Sequence, residues 1–274
     1  MRGVLLDLDG VLYVGDAPLP GAAATVAWLQ DEDIPYRYLT NTTSRPRHAI
    51  VEKLKTIGVE ASAEEILTPA VAAASWLRRH GAQHPALFVP DATAGEFSGL
   101  DPLPAAATGG ADAVVVGDLG PEWDFGTLNR AFRLLMADTH PPLVALGLTR
   151  YWRAEDGLRL DAGAFVRALE FAVGRPAVVL GKPDPAFYRA AVDELGLDPS
   201  EVVMVGDDIR SDVDGAQRAG LTGVLVRTGK FTPGDLRGDV RPVVVLDSVA
   251  ELPAWWRAAD GGPASTASSR AGAS

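Results

Sequence analysis

The chain predicts an α/β protein: a parallel-sheet core with a second α/β domain inserted into it. Apolar runs of strand length recur at 3–8, 36–40, 86–89, 113–116, 143–146, 177–180, 202–205, 223–226 and 243–246. Helix-length segments lie between most of them, at 22–30, 46–57, 70–79, 125–137, 164–173, 185–195 and 212–219. Strands alternating with helices build parallel sheets through right-handed crossovers. The third observation is four acids. Asp7 and Asp9 end the first run and Asp207 and Asp212 follow the seventh, so the acids meet at one carboxyl edge if those two strands are neighbours.

Taken in order, several helical segments open with a proline or an acid in the first turn, and Gly58, Gly174, Gly196 and Gly220 stand where C-terminal caps belong. The stretch 80–175 has three strand candidates and two long helices but none of the strand-end acids. We therefore expect residues 1–79 plus 176–260 to form the core and 80–175 to form the insert, with hinges near 68–69 and 174–176. Residues 261–274 are mostly glycine, alanine, serine and threonine and are expected to be a disordered tail.

Composition narrows the function. With 274 residues and 47% hydrophobic content the chain can bury a sizeable core. No stretch approaches the roughly 20 apolar residues of a membrane span, and no signal-peptide pattern opens the chain, so a cytoplasmic protein without a membrane partner is expected. A formal charge of −11 disfavours nucleic acid as a partner. The sequence has no cysteine, which excludes disulfides, thiolate metal sites and a cysteine nucleophile. An anionic ligand would need a local positive centre, such as a divalent cation plus a lysine.

The first acid pair lies in Asp7-Leu8-Asp9-Gly10. Asp7 suits a nucleophile, since a carboxylate attacking phosphorus gives an aspartyl-phosphate and splits one difficult displacement into two. Asp9 can protonate the leaving oxygen and then deprotonate the attacking water. Thr40 and Asn41 follow the second strand and offer a hydroxyl and an amide to phosphoryl oxygens, although Thr-Asn alone also reads as a helix cap. Lys182, in Gly181-Lys182-Pro183-Asp184, is the candidate positive centre, with a surface lysine as the plain alternative. Asp207 is the best direct metal ligand, Asp212 opens the next helix, and Asp208 supports the metal shell or is solvated. Few carboxylates with waters and a phosphate suit Mg2+ better than Ca2+, and the histidines have no zinc-ligand spacing.

In residue type, order and placement, Asp7-x-Asp9-Gly10, Thr40-Asn41, Lys182-Pro183 and Gly206-Asp207-Asp208 with Asp212 resemble the four motifs of the haloacid dehalogenase-like hydrolases. The insert is similar to the type 2 cap of the NagD and p-nitrophenylphosphatase branch. Thr149-Arg150-Tyr151-Trp152, Asp156-Gly157-Leu158, Gly181-Lys182-Pro183 and Gly229-Lys230-Phe231 look most like the subgroup of phospholysine phosphohistidine inorganic pyrophosphate phosphatase and its domain-containing-2 relatives.

The resemblance implies a Rossmann-like core under a cap and a magnesium-dependent phosphatase acting on a small phosphorylated metabolite or pyrophosphate. It also implies that Asp7, Asp207 and the backbone carbonyl of Asp9 hold the metal, that Thr40 and Asn41 bind the phosphoryl group, and that Asp212 orients Lys182 or a metal-bound water. It allows a homodimer through the cap. The cap would choose the substrate, and Arg150-Tyr151-Trp152 reads first as a half-exposed strand before a turn and second as a substrate contact. Two alternatives differ in class: a phosphoaspartate receiver-type signalling protein, whose acceptor strand comes later in a shorter chain, and an inactive regulatory member of the fold.

Overall fold

A computed structural model describes residues 1–43, 45–154 and 157–260. The expected tail at 261–274 and the turn residue Asp156 lie outside the described residues.

The first sheet has six parallel strands. Along the chain they are β1 (Gly3–Asp7), β4 (Tyr36–Leu39), β5 (Ile66–Leu67), β12 (Val202–Gly206), β13 (Thr222–Val226) and β14 (Val244–Leu246), and across the sheet they run β14-β13-β12-β1-β4-β5. The chain builds outward from β1 to one side, leaves, and returns on the other side. This reversal is a topological switch point, where a crevice opens beyond the strand ends. The register aligns Leu6 with Val205 and Asp7 with Leu39, so the residues after β1, β4 and β12 emerge side by side.

Both faces of this sheet are covered, which explains the near-continuous apolar runs. Val4, Leu6, Tyr38, Val203 and Val205 pack with helices Ala22–Asp31, Arg47–Thr56 and Leu252–Asp260. Leu5, Leu39, Val202 and Met204 pack on the other face with helices Pro69–Arg79 and Pro185–Leu195. Gly174 and Gly196 end their helices at φ 70° and 64°, the left-handed conformation that glycine adopts without a Cβ penalty.

The second sheet holds β6 (Pro85–Phe88), β7 (Ala113–Val116), β8 (Leu143–Ala145) and β11 (Val178–Val179), all parallel, in the order β11-β8-β7-β6. Two differences from the sequence-based expectation follow. The run at 177–180 joins this sheet through Val178↔Val144 and Val179↔Ala145, so the second sheet extends beyond the expected boundary at 175. Two consecutive valines could extend either sheet, and only the pairing partner decides. Helix Pro69–Arg79 also serves both sheets: its Ala70, Ala73 and Leu77 share one buried cluster with Leu5 and Leu39 and with Val115 and Val144.

Two short antiparallel pairs complete the strands. β2 (Tyr13–Val14) and β3 (Ala17–Pro18) form a hairpin directly after Asp9. β9 (Tyr151–Ala154) and β10 (Gly157–Leu160) pair antiparallel between β8 and helix Ala162–Val173; the expected strand is thus present, while the expected turn at Asp156 lies outside the described residues.

Leu5 is fully buried in the central strand. Leu5→Ala should lower unfolding stability by about 2–5 kcal/mol. Urea titration followed by circular dichroism measures it, and a loss below about 1 kcal/mol would contradict the two-sided burial of β1.

Candidate active site

Asp7 is the last residue of β1 and is buried. Its Oδ1 accepts from the backbone N–H of Leu8 at 2.8 Å and from Lys182 Nζ at 2.7 Å. Lys182 Nζ also meets Asp212 Oδ1 at 2.7 Å, which makes a buried carboxylate–ammonium–carboxylate bridge across three distant segments. Asp212 Oδ2 accepts from the backbone N–H of Asp208 at 3.1 Å, so both its oxygens are committed.

A wide helical turn over Ile209–Asp214 brings Asp212 there. Asp208 caps it, its Oδ1 accepting from the backbone N–H groups of Arg210 and Ser211 at 3.0 and 2.9 Å. The helix expected to open at Asp212 therefore begins earlier, and Asp212 sits inside it with no exposed surface. The side chain of Tyr188 is also buried here, its hydroxyl donating to the Ser211 carbonyl.

Asn41 spends its amide on the lysine loop. Its Nδ2 donates to the carbonyl of Lys182 at 2.9 Å and its Oδ1 accepts the Lys182 N–H at 2.8 Å. This two-point clamp fixes the backbone that carries the ammonium, and the Lys182–Pro183 peptide within that loop is cis. One Nδ2 hydrogen remains for a ligand. The Thr40 hydroxyl accepts from the backbone N–H of Thr42 at 3.2 Å and keeps its own proton to donate.

Asp207 follows β12 and is buried. Its Oδ2 accepts from the backbone N–H of Lys230 at 2.7 Å, whereas its Oδ1 is buried without a hydrogen-bond partner among the described residues. Gly10 and Gly229 press against this carboxylate: a Cβ at either position would lie 2.0 Å from Asp207 Oδ2. The Thr228 hydroxyl ties the two glycine loops together by donating to the Gly10 carbonyl at 2.5 Å. Carboxylate oxygens of Asp7, Asp207 and Asp212 all lie within 4.8 Å of one another. An orphaned buried oxygen in a cradle that admits no Cβ suits a small hard cation, since Mg2+ and Ca2+ take oxygen ligands.

Electrostatics point the same way. Burial pushes Asp7 up from its ordinary value, and the opposing pull of Lys182 does not cancel it. Burial likewise raises Asp212, to about 6. Burial and the charge of Asp212 raise Asp207, against the pull of the Lys230 N–H. Lys182 is raised as well: burial works to lower it, but the carboxylates of Asp212 and Asp7 outweigh that. One ammonium among three buried carboxylates leaves excess negative charge.

Asp9 is exposed and lines a cavity of about 210 Å3 together with Asp7, Thr40, Asn41, Lys182 and Lys230. All the sequence-predicted residues thus converge on one edge, with Asp208 supporting Asp212 from behind. The loop 228–230 was assigned no role from the sequence. It follows β13 at the same carboxyl edge, and that placement was the available signal. The tyrosine of the β2–β3 hairpin, Tyr13, is pushed up to about 12 by burial and by the charges of Asp9 and Asp7.

Residues 4–97 match the model of the haloacid dehalogenase-like hydrolases, and residues 179–252 match a second model described as HAD-hydrolase-like. The chain belongs to the haloacid dehalogenase-like hydrolases, as one of their phosphatases. It is 39% identical to the bovine (Bos taurus) phospholysine phosphohistidine inorganic pyrophosphate phosphatase over 92% of each chain. With the haloacid dehalogenase-like hydrolase domain-containing protein 2 of Mus musculus it shares 40% identity over 86% of this chain and 87% of that one. Among solved structures, 4-nitrophenylphosphatase from Thermotoga maritima superposes with a TM-score of 0.80 at 27% identity, covering 92% of this chain and 96% of that one. NagD from E. coli K-12 gives 0.80 and 27%, covering 92% and 98%. Among the described residues no helix is long and apolar enough to cross a membrane.

Removing a buried charge from the Asp7–Lys182–Asp212 bridge strands the others. Lys182→Met should destabilise the fold by about 3–5 kcal/mol. Lys182→Met/Asp7→Asn should recover part of that loss in urea titrations, and equal stability of the single variant and wild type would refute a buried bridge.

Proposed function

We propose that the protein is a Mg2+-dependent phosphatase that hydrolyses a small phosphate ester or pyrophosphate through a phosphorylated Asp7. The names of the relatives support phosphate release, and the observation that carries the mechanism is the asymmetry of Asp7. Among the described residues both of its hydrogen-bond partners reach Oδ1, which leaves Oδ2 as the attacking atom. Lys182 holds the carboxylate in place and favours its ionised form against the effect of burial, for attack on phosphorus.

Asp9, exposed at the same cavity, protonates the leaving oxygen. It then takes a proton from the water that attacks the phosphorylated Asp7, releasing phosphate and restoring the carboxylate. Thr40 donates its hydroxyl proton to a phosphoryl oxygen, and the second Nδ2 hydrogen of Asn41 adds another contact. Asp212 keeps Lys182 charged and aimed.

Asp7, Asp207 and the Asp9 carbonyl would hold the cation, with Asp207 Oδ1 as the oxygen awaiting it. When bound, the cation offsets the negative charge of the phosphoryl group and of the carboxylates around it. Asp212 stands within reach of the same cluster, but its oxygens are committed to Lys182 and to the Asp208 N–H, so it supports the shell. Family membership does not favour the receiver alternative, and the presence of every motif residue does not favour the inactive one.

Wild-type protein should release phosphate from p-nitrophenyl phosphate with Mg2+ and lose this activity in excess chelator. Asp7→Asn should reduce kcat at least about 1,000-fold, consistent with loss of a nucleophile. Asp9→Asn should reduce it about 100-fold or more. Phosphate on wild-type protein after rapid quench, absent from Asp7→Asn, identifies the intermediate; full turnover by Asp7→Asn would end the mechanism.

A further inference from the structure

The cavity at Asp7 has a volume of about 210 Å3, below the about 300–1,000 Å3 usual for a ligand pocket. A second cavity of about 690 Å3 shares Asn41, Lys182 and Ser211 with it. The two cavities are therefore neighbours, and the larger one offers room beside the phosphoryl site for the rest of a substrate. The insert contributes Leu148, Thr149 and Arg150 to the wall, and the first domain contributes Asp208, Arg210 and Arg218.

The charged walls differ in what they have left to offer a ligand. Asp208 and Asp184 are occupied as helix caps. Arg210 is paired with Asp239, and Arg218 with Asp214 and the Pro183 carbonyl. Lys182 is held between Asp7 and Asp212. Arg150 meets no carboxylate among the described residues; its guanidinium lies 5.6 Å from the ring centroid of Tyr151, which orients it without using its N–H donors. Among the described charged residues of this wall Arg150 is the cation left uncommitted, and in a chain of net charge −11 it gives the chamber a local attraction for an anion.

We propose that Arg150 binds an anionic group on the leaving side of the substrate, so that the protein selects substrates with a carboxylate or second phosphoryl group close to the scissile phosphate. This assignment rests on the phosphatase activity proposed above. A planar guanidinium pairs bidentately with either oxyanion.

The test compares kcat/KM for 2-phosphoglycolate, which carries a carboxylate, with 2-hydroxyethyl phosphate, its uncharged analogue of similar size. Pyrophosphate forms the phosphoryl arm. Wild type should favour at least one anionic substrate, and Arg150→Met should shrink that preference about tenfold, as expected for a lost charge-assisted hydrogen bond. Arg150→Lys should keep part of it, and the arm that falls identifies which oxyanion is read. Ratios unchanged in Arg150→Met, or no anionic preference in wild type, would overturn the assignment. A wild type that turns over none of these esters, nor p-nitrophenyl phosphate, would instead overturn the phosphatase mechanism on which it rests.

Discussion

The site depends on one buried ammonium. Lys182 lies between Asp7 and Asp212, two carboxylates that the chain could not otherwise bury together. Two like charges in a low-dielectric interior repel strongly, and an unpaired one costs several kcal/mol. The lysine offsets much of that cost, yet Asp207 adds a third carboxylate, and burial raises the pKa of all three acids. A divalent cation is the simplest group that would restore the balance. It would neutralise what remains after Lys182, and the orphaned Asp207 Oδ1 is the atom that most needs it.

The surrounding structure keeps that arrangement rigid. Asn41 grips the backbone of Lys182 at two points, Asp208 caps the turn that carries Asp212, and Gly10 and Gly229 close on Asp207 from two loops. Each of these supports sits at the carboxyl end of a strand or on the loop that follows. Sheet order makes this convergence possible, since β1 has β12 on one side and β4 on the other. A charged centre assembled from separate loops holds its geometry only if the strands beneath it do not shift, and β1 is buried on both faces.

Much of this was legible in the sequence because acids placed directly after apolar runs have few places to go in a parallel sheet. Asp7 and Asp207 stand out in this way, and Lys182 stands out as the positive centre that an anionic ligand needs in an acidic chain. What stayed hidden depends on pairing in space. The two valines of β11 gave no sign of which sheet they would join, and the amide of Asn41 could as well have faced a ligand as the Lys182 backbone. Asp212 looked like the first residue of a helix, because the cap four residues upstream, Asp208, reads in sequence as part of the loop after the strand. The loop at 228–230 lacks an acid, so the sequence marks Gly229-Lys230-Phe231 only as part of the resemblance and gives it no place at the site, although its position after β13 obeys the same rule.

The shared helix Pro69–Arg79 joins the two sheets through one apolar cluster. The chamber that both parts of the chain line is thus bounded by segments that pack together. Thermal unfolding of wild type and Asp207→Asn, each with and without millimolar Mg2+, tests the claim of charge excess directly. Binding to the folded state alone raises its stability, so Mg2+ should raise the Tm of wild type and leave that of Asp207→Asn almost unmoved. A wild type indifferent to Mg2+, or an equal rise in both proteins, would contradict a buried carboxylate cluster that requires a cation.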